Sequence, residues 1–373
     1  MMIIRHARKP LLIASFFLLV IFAASCSKKG GGSNNNVQPT TATPTTLGLY
    51  EADSAQYREL IVAISQVGTQ TVDYGMVFDT GSGGMVLDAS GIVPPADIST
   101  SGFTFSGDSL VVNGITITNQ TSTLQYGADS ATLTTVYGNL AYASVTIGDQ
   151  NGSIIVKRLP FCLYYKATDA DNNTLPAHYF DTFGVNTEYI TFTGGGYITS
   201  PFYYYTYGTG LTKGFKLTSL GTSYFSYDGT YVPGVVTLGL TSSDVSSSSG
   251  YTMHQANYYS GDGYVPIFPT TVTYPGGKVS TYALFDTGTS GYNYVEDPNA
   301  SAALTLLPVG SSVSTATQAG FDWSFTVGSQ EFLTYIENPN KTGGDFSIFG
   351  IDFFINNQYL QNFSNNQVGL KND

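Results

Sequence analysis

The sequence predicts an all-β protein, on three observations. Short β-prone runs separated by turn residues recur from residue 57 onward, and helix signals are few. Only 11% of the residues are charged, while glycine (42) and tyrosine (28) are abundant, which suits a strand-rich extracytoplasmic protein better than a helical cytosolic one. A Phe-Asp-Thr-Gly sequence occurs twice, each time at the end of an apolar run. The 42% hydrophobic and 14% aromatic content excludes a disordered chain, and 373 residues suffice for one large core or two medium ones.

The chain opens on a targeting pattern. Arg5, Arg8 and Lys9 form a basic region, residues 11–24 an apolar stretch short for a membrane span, and Ala23-Ala24-Ser25 precede Cys26. This pattern resembles a bacterial lipoprotein signal over residues 1–25, with Cys26 acylated. The expected location is then the cell envelope, on the outer membrane, facing periplasm or surface. Residues 26–47, with Gly30-Gly31-Gly32-Ser33 and a Thr/Pro-rich run, read as a flexible tether. Removing residues 1–25 leaves 26 acids against 14 − 3 = 11 bases, a net charge of −15. Such a charge repels nucleic acid and anionic lipid, so contact with the membrane is expected through the anchor alone. Cys162 then has no disulfide partner, and its apolar surroundings suggest a buried, inert thiol.

Strands are expected at 60–64, 72–78, 110–117, 132–136, 141–147 and 154–156. One helix is expected over 297–307, with Asp297 as N-cap, Pro298 in the first turn and Pro308 as its stop. The Ser/Thr/Gly-rich stretch 241–263 marks a boundary between a first unit, 48–240, and a second, 264–373.

The repeat carries the chemistry. Phe78-Asp79-Thr80-Gly81-Ser82 returns as Phe285-Asp286-Thr287-Gly288-Thr289, 207 residues later, so this is no local turn repeat. A single Asp-Thr-Gly is an ordinary turn sequence. Two copies, each after a buried-strand pattern, suggest two carboxylates brought together from distant parts of the chain. Two such groups in contact resist joint ionisation and hold one proton between them. One can then take a proton from water while the other protonates a carbonyl, which suits peptide hydrolysis without a covalent intermediate.

Further stretches resemble pepsin-like aspartic proteases in collinear order over residues 55–373. Tyr57 to Ile64 and the first Asp-Thr-Gly resemble the family's opening. Leu124-Gln125-Tyr126-Gly127-Ala128-Asp129-Ser130 is similar to its flap. Asp181-Thr182-Phe183-Gly184-Val185 and Phe346-Ser347-Ile348-Phe349-Gly350 resemble its two hydrophobic-hydrophobic-Gly segments. Gly234-Val235-Val236-Thr237-Leu238-Gly239 is similar to the strand before the interlobe crossing, and Asn366-Gln367-Val368-Gly369-Leu370 to the closing strand. The resemblance implies a bilobal all-β fold of two barrel-like lobes with a cleft between them. It implies Asp79 and Asp286 as the catalytic pair, with Thr80 and Thr287 bonding across to the opposite loop. Ser82 and Thr289 would bond the outer carboxylate oxygens, and Gly81 and Gly288 complete the loops. Tyr126 and Gly127 would belong to a flap over an extended peptide or protein substrate bound by a monomer.

Two departures from that pattern stand out. The family places a tryptophan soon after the first motif; here Gly83-Gly84-Met85-Val86-Leu87 follows, and Trp323 is the only tryptophan. Thr182 stands where an apolar residue is usual.

No cofactor or metal is expected. His178 and His254 lack ligand spacing, and the 169–173 stretch lacks the glycine and acid of a calcium loop. Pro201-Phe202-Tyr203-Tyr204-Tyr205 fits either an exposed aromatic surface or a packed strand. The expected function is an aspartic endopeptidase without prosegment or disulfides, best in acid. The alternative is a pepsin-fold binding or inhibitory module without turnover.

Overall fold

The computed structural model describes residues 42–53, 57–127 and 133–373. Residues 1–25, Cys26 and most of the expected tether lie outside these, as do Ala128, Asp129 and Ser130 of the flap stretch. The fold is all-β and two-lobed, each lobe raised on its own sheet.

Among the described residues the first sheet has fourteen strands and the second eight. At the centre of the first, strand Gln70–Asp79 lies between Arg58–Val67 and Thr182–Val185. Strand Arg58–Val67 pairs in addition with Thr134–Asp149, which curls the sheet towards a barrel. At the centre of the second, Gly277–Phe285 lies between Phe268–Tyr274 and Ser347–Phe349.

Both central strands have the same neighbour relation. Thr182–Val185 runs parallel to Gln70–Asp79, setting Phe183 beside Phe78 and Gly184 beside Asp79. Ser347–Phe349 runs parallel to Gly277–Phe285, setting Phe349 beside Phe285. The phenylalanine before each aspartate is buried in an aromatic core. Phe78 packs with Phe183 and Phe215, and Phe285 with Phe353 at 4.3 Å and Phe349 at 5.4 Å. Each catalytic-type loop is therefore anchored by one deeply buried ring, worth about 3–5 kcal/mol against alanine.

Several expectations shift. Thr45, Thr46 and Leu47, assigned to the tether, pair with Leu238, Thr237 and Val236 because Leu47 is buried. The run 110–117 is two strands, Ser109–Val112 and Ile115–Tyr126, since Asn113 (φ 51°) and Gly114 (φ 72°) form the tight turn that Asn-Gly favours. The helix over 297–307 does not form. Asp297 instead closes a turn, accepting from the Asn299 N–H at 2.8 Å and the Tyr274 hydroxyl at 2.5 Å, and Leu304–Leu306 is a strand on the edge of the second sheet. Stretch 241–263 contains strand Thr252–Gln255, which pairs with Gln367–Asn372. That strand and Asn357–Asn362 leave the second lobe's stretch of sequence to join the first sheet beside Thr212–Leu217.

Trp323 lies in the second lobe's core, against Phe353 at 5.0 Å. Of the 201–205 aromatics, Phe202 is buried and Tyr203 is 41% exposed. Thr182, in a buried position, donates its hydroxyl to the Phe180 carbonyl at 3.4 Å.

Candidate active site

The two Asp-Thr-Gly loops meet where the lobes touch. The Thr80 N–H donates to Thr287 Oγ1 and the Thr287 N–H to Thr80 Oγ1, both at 3.0 Å. Each hydroxyl then donates onward to the opposite strand, Thr80 to the Phe285 carbonyl at 2.9 Å and Thr287 to the Phe78 carbonyl at 2.7 Å. Four buried hydrogen bonds thus clamp the loops with no water needed to satisfy them.

The clamp brings each carboxyl against the other loop's glycine, Asp286 against Gly81 and Asp79 against Gly288. Each is 8% exposed. Asp79 Oδ1 accepts from the N–H groups of Gly81 at 2.6 Å and Ser82 at 3.2 Å, and Oδ2 from the Ser82 hydroxyl at 2.6 Å. Asp286 repeats the pattern, with Oδ1 accepting from the Gly288 N–H at 2.7 Å and Oδ2 from the Thr289 hydroxyl at 2.6 Å. The glycines are required by the approach of the partner acid. A Cβ at Gly81 would collide with the Asp286 carboxyl, and one at Gly288 would lie 2.7 Å from that of Asp79. Gly184 has a similar duty, since a Cβ there would press on the Ser82 carbonyl and hydroxyl at 2.7 Å.

Burial, and next the charge of Asp286, hold the Asp79 carboxyl well above the usual carboxylate range. The donors from Ser82 and Gly81 oppose that rise without cancelling it. Two carboxyls in contact favour keeping one proton between them, an acid and a base side by side.

Tyr126 closes strand Ile115–Tyr126, half-buried, with exposed Gly127 after it. Its ring leans on Phe180 at 4.7 Å, where no tryptophan is present. Burial raises its hydroxyl pKa, and Cys162, Asp79 and Glu188 add to the rise, so the phenol lies within electrostatic reach of Asp79. Cys162 is free and buried, its thiol pushed by burial up to about 12.

Sequence reading missed two residues of this neighbourhood. Asn186 donates its N–H to the Ser82 carbonyl at 3.0 Å and its amide Nδ2 to the Thr80 carbonyl at 3.3 Å, bracing the first loop from behind. Glu188 follows it, with its N–H on Asn186 Oδ1 at 2.8 Å. Their position just after the Gly184 segment was the available signal. His178 sits in a buried hydrogen-bond network. Its ring nitrogens contact Asp181 Oδ2 at 2.7 Å and the Ser90 carbonyl at 2.8 Å inside the first lobe. His254 contacts Thr317 Oγ1 at 2.8 Å, and burial lowers it to about 4. Asp169 closes its own exposed turn through the N–H groups of Asp171 and Asn173.

The chain shares its fold with solved structures. An aspartic proteinase from Irpex lacteus aligns with a TM-score of 0.54 at 16% identity, covering 88% of this chain and 97% of that one. The basic 7S globulin from soybean aligns at 0.53 and 12% identity, and conglutin gamma, a basic 7S globulin from lupine seeds, equally so. Each of these covers 88% of this chain and 95% of its own. Neither protein-family models nor curated protein sequences give a match. The fold is that of pepsin-like aspartic proteinases.

Proposed function

We propose that this chain is an aspartic endopeptidase, hydrolysing peptide bonds with a water activated between Asp79 and Asp286. The observation that carries the reading is the convergence of the two carboxyls, each against the other loop's glycine and braced symmetrically by Ser82 and Thr289. The ionised member takes a proton from water as its oxygen bonds to the peptide carbon, and the protonated member gives its proton to the carbonyl oxygen. The tetrahedral diol then collapses. Its hydroxyl proton returns to one carboxyl, the nitrogen takes the other's proton, the C–N bond breaks and the pair regains its single proton. Two carboxyls in contact share a proton, so the acid and base roles belong to the dyad rather than to fixed members.

Tyr126 would cover the bound strand, and the single-proton requirement favours acid. The substrate is an extended peptide, and the working form a monomer. Residues 1–25 would be removed as a lipoprotein signal and Cys26 acylated, holding the enzyme on the outer membrane of a bacterial envelope. Mass spectrometry of the N-terminal peptide from the native source tests that anchor; an unacylated Cys26 would refute it.

A pepstatin-sensitive cleavage assay on the folded body tests the activity, with Asp79→Asn and Asp286→Asn alongside. Cleavage lost in both variants supports the dyad. Equal inertness of all three leaves the second reading, a pepsin-fold binding or inhibitory module without turnover.

A further inference from the structure

Beside the dyad lies a carboxylate that the hydrolysis does not use. Glu188 is fixed against the first loop: its carbonyl oxygen occupies the place a Cβ on Gly83 would take, next to Ser82. On its other side the segment is stitched to the hairpin formed by strands Asn257–Tyr259 and Gly263–Val265. Glu188 forms a bridge with Gly263, the Tyr189 N–H donates to the Asp262 carbonyl at 2.7 Å, and the Thr187 hydroxyl to that of Tyr264 at 2.7 Å. Glu188 is thus held between the Asp79 loop and the turn that carries Asp262.

Its environment is anionic and aromatic. Among the described residues no ion pair reaches Glu188. Among the described residues the neighbouring charge acting on it is that of Asp262, of like sign. Tyr189 stacks with Tyr197 at 4.5 Å, and Tyr258 packs with Tyr264 at 5.1 Å. These rings are close enough for each of the other three to act on the Tyr189 hydroxyl. Tyr197 and Tyr258 are 49% and 63% exposed. A carboxylate without an ion-pair partner among the described residues, on the segment packed against the first aspartate loop, suits one ligand chemistry. An ammonium or guanidinium gains a charge-assisted hydrogen bond from such a carboxylate.

We propose that Glu188, supported by Asp262, is a specificity-determining residue that receives a lysine or arginine side chain of the peptide substrate close to the scissile bond. The inference rests on the peptide-binding reading above. An acidic chain of net charge −12 already attracts basic peptides, and Glu188 gives that attraction an address next to the chemistry. Burial first, then Asp262, push the empty Glu188 up to about 7, so the carboxylate is fully charged only above that. A bound cation opposes both effects and draws the proton off. Preference for a basic side chain therefore grows as pH rises towards neutral. Asp262, the Tyr126 hydroxyl and the Asn186 amide are the polar groups acting on or beside it.

The test uses matched peptides carrying lysine or its uncharged isostere norleucine, scanned through the positions flanking the cleaved bond. Peptide binding to the Asp79→Asn protein is read by fluorescence anisotropy and cleavage by wild type as kcat/KM. Expected is a preference of about tenfold to a hundredfold for lysine at one position, screened by salt and shrinking in acid. Glu188→Gln should bring the ratio close to one, Glu188→Asp should keep part of it, and Asp262→Asn should lower it. The Asp262 variant and the salt dependence remain informative if Glu188→Gln does not fold. Cleavage or binding with no lysine preference at any position overturns the inference and leaves the endopeptidase standing. Lysine-selective binding without cleavage overturns the endopeptidase and keeps the inference. Absence of binding by every peptide overturns both.

Discussion

Thr80 and Thr287, 207 residues apart, each donate a backbone N–H to the other's hydroxyl at 3.0 Å. The reciprocity has an energetic consequence, because each hydroxyl is the acceptor for a buried N–H in the opposite lobe. Thr80→Ala should leave the Thr287 N–H unsatisfied and destabilise the fold by about 1–3 kcal/mol in denaturant melts. Thr80→Ser keeps the oxygen and should recover most of that loss. Equal destabilisation by the two variants would show that the methyl group, not the hydrogen bond, matters.

Asp79→Asn and Asp286→Asn should each lower kcat by roughly a thousandfold or more, the scale of lost acid–base catalysis, while binding of a peptide stays measurable. Single-turnover rates alongside equilibrium binding separate the two effects. A variant retaining more than about a tenth of wild-type kcat would remove its aspartate from the mechanism.

Gly81→Ala should act through sterics alone, since the added methyl meets the Asp286 carboxyl. Parting the carboxyls should cost about a hundredfold in kcat. Gly310→Ala supplies the contrast: the position has φ 88° and open space around it. That change should cost about 1–2 kcal/mol of backbone strain and leave activity unchanged. The comparison of activity against melting temperature in the two variants checks both halves.

Glu296 and Glu337 sit side by side in register on parallel strands Tyr292–Glu296 and Leu333–Glu337, both buried, with Glu296 Oε2 lacking any hydrogen-bond partner. Burial first, then the charges of Glu337 and Asp345, raise Glu296 from 4.5 to about 8. The folded state therefore holds an extra proton between those values, so stability falls as pH rises through that window, by at most about 1.4 kcal/mol per pH unit. Above 8 the contribution is gone. Glu296→Gln should flatten this slope, making the variant the more stable protein in alkali and giving no advantage below 4.5. Trp323, the sole tryptophan and buried in the same lobe, reports the transition by its fluorescence.

The parts of this molecule that could be read in advance are those whose chemistry is written in adjacent residues. Phe-Asp-Thr-Gly requires its phenylalanine for anchoring, its threonine for the clamp and its glycine for clearance, so the constraint sits in four consecutive letters. The His178 network resisted reading because its members are scattered: the Asp88 N–H donates to Asp181 Oδ1, and the His178 N–H to Asp88 Oδ2, across about ninety positions. Glu188 was hidden for the same reason, since only the hairpin around Asp262 gives it meaning. The Asn113-Gly114 turn was legible, but the hydrophobic run around it masked it. The 297–307 helix failed because Asp297, a good N-cap by residue type, is occupied by Tyr274 and by its own turn.

The return of strands Asn357–Asn362 and Gln367–Asn372 to the first sheet constrains how the protein is made. While the chain leaves the ribosome, strand Thr212–Leu217 has an unsatisfied flank that only residues synthesised about 145 positions later can cover. The early half must therefore wait, unsealed and open to intermolecular strand pairing, until the late half has emerged. Holding factors that shield exposed edges would matter most during that interval, and a nascent polypeptide stalled before Asn357 would be the species most prone to clump.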